Sequence, residues 1–342
     1  MKKLLIAGMV LLLSAAAHAQ KPIEIKDVSG SGQKKFKKSP KRIFIAQFRV
    51  NYQLLYSQVE KAAGGGTIGG GYRGEAKAGL TMAVKGIESA DLIETTDKLY
   101  REFVTSITKE GYEVISIDEA SAAKSYEGWE RKTGGTLNES QYPGYITSIP
   151  TGYEYFVKKT NSSGKEKSSF VDNSLKISGD LNVTVVKVNV VIPFVEDAES
   201  AASKTLGKAA GGLAKVVLRP YLRVEKDPVA MSGTFSTDAA LTQVTYAYKE
   251  SMGSMGATYL RLKSNIDIPG IFEDKKYKAV ETADTDLWGT QAGALTIFNV
   301  SDRYLSKTQP LPVDANQYKQ GVANAVSNYL RATLDEYLSY AK

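Results

Sequence analysis

Between Leu181 and Glu225 the chain reads LNVTVVKVNVVIPF, then an Ala/Gly-rich connector, then KVVLRPYLRVE. Leu181, Val183 and Val185 fall on odd positions. From Val186 the apolar residues move to even ones: Val186, Val188, Val190, Ile192 and Phe194, with Lys187 and Asn189 between them. Side chains of a strand alternate faces with period two, so this run is predicted as strand. The change of phase at Val185–Val186 predicts a β-bulge, or a strand leaving one sheet for another. The return run sets Val216, Leu218, Leu222 and Val224 against Arg219, Arg223 and Glu225. Strands of this kind either cover a core or cross a membrane, because a tilted transmembrane strand needs about 9–11 residues. Val186, Val188, Val190, Ile192 and Phe194 are therefore candidate membrane- or partner-facing residues.

The first 19 residues read as a signal peptide, with Lys2 and Lys3, the apolar stretch Leu4–Leu13, and a small-x-small site at Ala17-His18-Ala19. Export to the periplasm, the outer membrane or the medium is expected. The one His of the 342-residue chain is His18, and there is no Cys. Once the leader is removed, Ser-His-Asp and Cys-His mechanisms, His-bound zinc and CxxC redox chemistry are all excluded. Disulfides and a thioether-linked lipid anchor are excluded with them. The fold has to rest on apolar burial.

Residues 20–41 form a basic leader that is expected to be flexible. Lys34, Lys35, Lys37 and Lys38 surround Phe36, as a candidate contact for an anionic surface such as lipid headgroups or a polyanionic sugar. No aromatic series accompanies this charge, so a nucleic-acid partner is not expected. The remainder, 42–342, reads as a single mixed α/β domain (class α+β) with an extended β-hairpin region at 181–225.

Arg42–Phe48 is a predicted buried strand; Asn51–Ala63 fits either a helix or a continued strand. Gly64–Gly71 contains G-x-G-x-x-G spacing. The segment after it alternates as a strand and not as a helix, so a dinucleotide loop is rejected and a hinge expected. Across Tyr72–Ile87, Ala76, Ala78, Leu80, Met82 and Val84 share one face. An αβ unit spans 96–117: Thr95 or Thr96 caps a helix lined by Leu99, Phe103 and Ile107, and Gly111 ends it before the strand Tyr112–Ile117. With Arg42–Phe48 this makes a parallel βαβ arrangement interrupted by the Gly-rich excursion. Small residues in 197–213 predict a short helix. Further strands are predicted around Val244–Tyr248, Leu260–Ile268 and Leu295–Val300. Asp314 caps a closing amphipathic helix with Val322, Val326, Leu330, Leu334 and Tyr337 as its stripe.

Carboxylates remain as candidate chemistry. Asp118 and Glu119 end one predicted strand, and Glu196 and Asp197 another; nothing in the sequence brings the pairs together, and exposed carboxylates at strand ends are ordinary solvating groups. Asp284-Thr-Asp286 lacks the Gly and Glu of an EF-hand loop. No cofactor is implied, and no enzymatic activity is expected.

The order of strand Arg42–Phe48, excursion, helix Leu99–Glu110, strand Tyr112–Ile117, long amphipathic strands and closing helix Asp314–Tyr340 resembles the periplasmic α/β domain of the curli-secretion channel (CsgG-like) family. That resemblance implies a homo-oligomer that inserts mid-domain hairpins into the outer membrane, with 181–194 and 215–225 as one hairpin and 72–87 contributing to another. The chain departs from the family by lacking an N-terminal Cys, and Pro220 interrupts a strand that would need an unbroken ladder. Two functional readings follow: an envelope assembly, transport or scaffolding protein with an outer-membrane or envelope partner, or a soluble binding protein for a glycan or protein.

Overall fold

The computed structural model describes residues 22–29, 32–62, 65–66, 72–73, 76–167, 172–198, 214–229, 240–250, 253, 255–280 and 308–342. The predicted signal peptide, most of the connector at 197–213, Asp284–Asp286 and Leu295–Val300 lie outside the described residues.

The fold is mixed α+β, with a long closing helix. Strand β1 (Ile25–Asp27) and a 3-10 turn (Gln33–Lys38) precede β2 (Arg42–Gln53). Strands β3 (Leu55–Ala62) and β4 (Ala76–Lys85) form a hairpin, and Gly65–Gly66 pairs with Tyr72–Arg73 beyond it. Helix α1 (Ser89–Lys109), β5 (Glu113–Val114) and β6 (Tyr145–Ser148) follow. Next come α2 (Ser174–Leu181), β7 (Thr184–Ile192), β8 (Val195–Asp197) and β9 (Lys215–Pro220). The chain continues through β10 (Gln243–Lys249), β11 (Met255–Leu262), β12 (Tyr277–Val280) and β13 (Thr308–Pro312) to α3 (Ala315–Ala341).

The main sheet runs β1–β11–β10–β7–β2–β5, with β6 beside the later half of β2. β2 and β5 pair in parallel at Arg42–Glu113 and Ile43–Val114, so β2, the hairpin excursion, α1 and β5 form the expected interrupted βαβ unit. α1 begins earlier than the sequence suggested. Glu88 and Asp91 make a capping box, while Thr95 and Thr96 are buried inside the helix. Asp314 caps α3 as expected, accepting from the Gln317 backbone N–H at 2.8 Å.

The predicted pairing of 181–194 with 215–225 as one long hairpin is corrected. β7 is a central strand, parallel to β2 and antiparallel to β10. Among the described residues the two segments run side by side from Val191 onward: Val195–Asp197 pairs with Leu218–Pro220, and Tyr221, Arg223 and Glu225 donate backbone N–H groups to the Phe194, Pro193 and Val191 carbonyls. Val186, Val188, Val190, Ile192 and Phe194 are all 0% exposed and belong to the main core, together with residues of α1 and α3. The face read as membrane- or partner-facing is thus the floor of that core. The alternation of β7 does not slip: Val183 and Val185 point to the sheet's other face, into a second cluster with Phe44, Ile117 and Ile177. The irregular register lies between Val186 and Lys187, opposite Ile45 and Gln47, and the extra residue is Ala46 on β2. It lets Ile43 and Ile45 share the main core with Phe48, Val50 and Tyr52 despite their opposite parity.

The leader is also corrected. β1 pairs with β11, and Phe36 in the 3-10 turn is 0% exposed. The segment before β2 is part of the sheet and the core, because one aromatic among the lysines supplies apolar area to bury.

Beyond the main sheet, β13–β4–β3 and β8–β9–β12 form two three-stranded sheets. Ala78, Met82, Val84 and Leu311 of the first share the main core with Val195, Val216 and Leu218 of the second.

Candidate functional site

The two faces of the main sheet differ. Under α1 and α3 the inward positions are mainly apolar, with Thr184 and Thr258 fully buried among them. On the other face the second cluster covers the first residues of β2 and β7, a small apolar group of Tyr145, Val191 and Ala240 covers the far end, and between them the sheet is polar. The register places Arg49, Asn189 and Gln243 directly opposite one another on β2, β7 and β10. Arg261 on β11 extends that row, its Nε donating to Gln243 Oε1 at 2.7 Å. A second row runs Gln47, Lys187, Thr245 and Tyr259. Four strands span three interstrand spacings, roughly 14 Å. Most of these side chains are half-buried, so each keeps one side toward solvent.

Lateral hydrogen bonds hold the face in place. Thr147 Oγ1 donates to Asn51 Oδ1 at 2.7 Å, and Asn51 Nδ2 donates to Asn189 Oδ1 at 3.0 Å. Asn189 Nδ2 donates to the Leu241 carbonyl at 2.8 Å. Gln243 Nε2 donates to Thr245 Oγ1 at 2.9 Å. Two ion pairs border the rows. Arg49 Nη2 meets Glu166 at 2.7 Å, the same carboxylate accepts the Tyr155 hydroxyl at 2.7 Å, and the Arg49 guanidinium lies 5.6 Å from the Tyr155 ring centre. Lys187 Nζ meets Asp172 at 2.5 Å, and Ser174 donates to that carboxylate through its hydroxyl and backbone N–H. Burial pushes the Asp172 carboxyl up; the Lys187 ammonium and the Ser174 bonds outweigh it and hold the carboxyl below its ordinary value. Burial and the bond to Glu166 push the Tyr155 phenol up, so it remains a donor.

Such a face can bind. The amides and hydroxyls are pre-positioned, which lowers the ordering cost of a polar ligand. The candidate carboxylates do not form a reacting pair. Asp118 is tied to Arg131 at 2.7 Å, and Glu119 to Arg42 at the start of β2; Glu196 meets Arg219 at 3.5 Å beyond the far end of β7. Among the described residues no group of three or more His, Cys, Asp or Glu is placed to hold a metal ion.

The sequence-predicted apolar face and this polar face are the two sides of one strand. Reading Lys187 and Asn189 as spacers between valines missed them as site residues. Arg49, Gln243 and Arg261 were missed because register across strands far apart in sequence is invisible until they pair. Of the predicted lysines, Lys34, Lys35, Lys37 and Lys38 are all exposed on the 3-10 turn, and Lys38 meets Glu250 at 3.6 Å. No family model, no curated protein and no solved structure matches the chain.

Proposed function

We propose that this is an exported protein without a reaction of its own, and that it works by binding a polar ligand, a glycan or an extended peptide, on the second face of the main sheet. One observation carries this reading: the row Arg49–Asn189–Gln243–Arg261, hydrogen-bonded sideways and half open to solvent, lies on the back of a strand whose other side is entirely core. Planar amides and guanidinium groups in a fixed row suit hydroxyl- and carbonyl-bearing ligands. The test is a panel of envelope glycans and peptides, by calorimetry, against the mature protein and Gln243→Ala/Arg261→Ala. A ligand whose affinity drops with the double substitution supports the reading. A ligand bound equally by both proteins, or no ligand from either class, rejects it.

A second reading, assembly or transport at the envelope as a homo-oligomer, keeps one specific observation in its favour. β3 is the edge of its sheet, with Val59 38% exposed, so its backbone is a template for another strand. The resemblance to the curli-secretion channel domain supports it through element order. Light scattering of a detergent extract separates the two: a large ring-sized oligomer, reduced to monomer by Val59→Pro, favours assembly.

A further inference from the structure

We infer that the end of the molecule carrying the 3-10 turn, Lys249 and Met255 docks on an anionic phospholipid surface. The inference does not rest on the polar sheet face. It starts from the anchoring of Phe36, which turns a basic leader into a fixed display. Gly256 sits so close to the turn that a Cβ there would lie 2.5 Å from the Gly32 carbonyl oxygen and 3.1 Å from Lys35 Cβ. The turn therefore rests on the start of β11, and Lys34, Lys35, Lys37 and Lys38 are exposed around it.

Met255 lies beside this contact and is 55% exposed, the most exposed large apolar side chain among the described residues. Directly opposite it in the β10–β11 register is Lys249. Lys249 in turn lines a cavity of about 320 Å³ with Lys124 and Lys176. Acidic groups at this end include Glu250, which meets Lys38, Asp27, which accepts from Gln33 Nε2 of the turn at 2.9 Å, and Asp180, which accepts the Ser125 backbone N–H and hydroxyl. Lysines thus flank an exposed methionine on both sides and outnumber the carboxylates among them. Lysines near an anionic leaflet add attraction roughly residue by residue, and an apolar side chain among them enters the headgroup boundary. A rigid patch of this kind fits a lipid surface, where many phosphates are offered at once.

The test is co-sedimentation of the mature protein with vesicles of phosphatidylcholine and of phosphatidylcholine mixed with phosphatidylglycerol. Binding is expected to the anionic vesicles alone and to fall with salt. Lys34→Gln/Lys37→Gln should weaken it about thirtyfold, from the loss expected per lysine near the surface. The same neutralisation at Lys158 and Lys159, at the start of the short strand pair Lys159–Thr160 and Glu166–Lys167, should leave it unchanged. All four lysines are exposed, and matched circular dichroism melts confirm that each variant folds. Equal binding to both vesicle types, indifference to Lys34→Gln/Lys37→Gln, or a preference for heparin or inorganic phosphate with no vesicle binding would each overturn the inference.

Discussion

Phe36 meets Tyr337 edge to face, with ring centroids 5.3 Å apart and planes at 82°. Tyr337 also stacks on Tyr246 at 4.3 Å, and its hydroxyl lies 3.2 Å from Thr184 Oγ1. One tyrosine near the end of α3 thus joins the segment before β2 to the start of β7 and to β10. Phe36→Ala removes a fully buried ring and should cost about 3–5 kcal/mol of unfolding free energy. Urea denaturation followed by tryptophan emission measures it. A loss under about 1 kcal/mol would mean that the turn is not docked.

Val188 is the centre of the main-core face of β7. Val188→Lys places an unpaired ammonium among α1, α3 and the sheet, and should abolish cooperative unfolding and soluble yield. A soluble, cooperatively melting Val188→Lys protein would put this face outside the core and revive the membrane reading.

Gly144 holds the junction where β2 becomes β3. Its carbonyl accepts the backbone N–H groups of Leu54 and Leu55 at 2.9 and 3.1 Å, its φ is +74°, and a Cβ would lie 2.2 Å from the Leu55 carbonyl oxygen. Gly128 has nearly the same φ, +75°, with nothing within 4 Å of its Cβ position. Gly144→Ala should therefore cost clearly more than Gly128→Ala, whose penalty is the left-handed backbone alone, on the order of 1 kcal/mol. Equal melting temperatures for the two variants would contradict the close approach.

Burial pushes the phenols of Tyr52, Tyr153, Tyr246, Tyr318 and Tyr329 well above their ordinary value. The native state holds these protons where the unfolded chain releases them. Stability is fully present below about pH 10 and is lost as pH rises beyond it. Asp91 and Asp172 work in the opposite direction. Burial raises both, but the Glu88 backbone bond and Lys319 for Asp91, and Lys187 and Ser174 for Asp172, bring them below their ordinary value. Their contribution is present above about pH 4 and is lost as pH falls through the lower folded values. Urea midpoints across pH should show a plateau with an acid and an alkaline flank. An alkaline flank absent to pH 12 would mean that the tyrosines ionise without unfolding.

The sequence by itself determined the local elements. Period two in β4 and β7, and the 3.6-residue stripes of α1 and α3, are written in neighbouring residues, and Asp314 and Gly111 mark helix ends through local backbone chemistry. It also left no His after His18 and no Cys anywhere, which removes their chemistry from the described residues. Tertiary structure alone decided what each face meets. The same valines of β7 suit lipid or core, because apolar alternation records that a side leaves water and not what replaces it. β7 lies between β2 and β10, and two helices cover it, so the answer is core. The bulge at Ala46, the docking of Phe36 on Tyr337 and the row Arg49–Asn189–Gln243–Arg261 all join segments far apart in sequence. Pairing register and packing create such relations, and no window of neighbouring residues contains them.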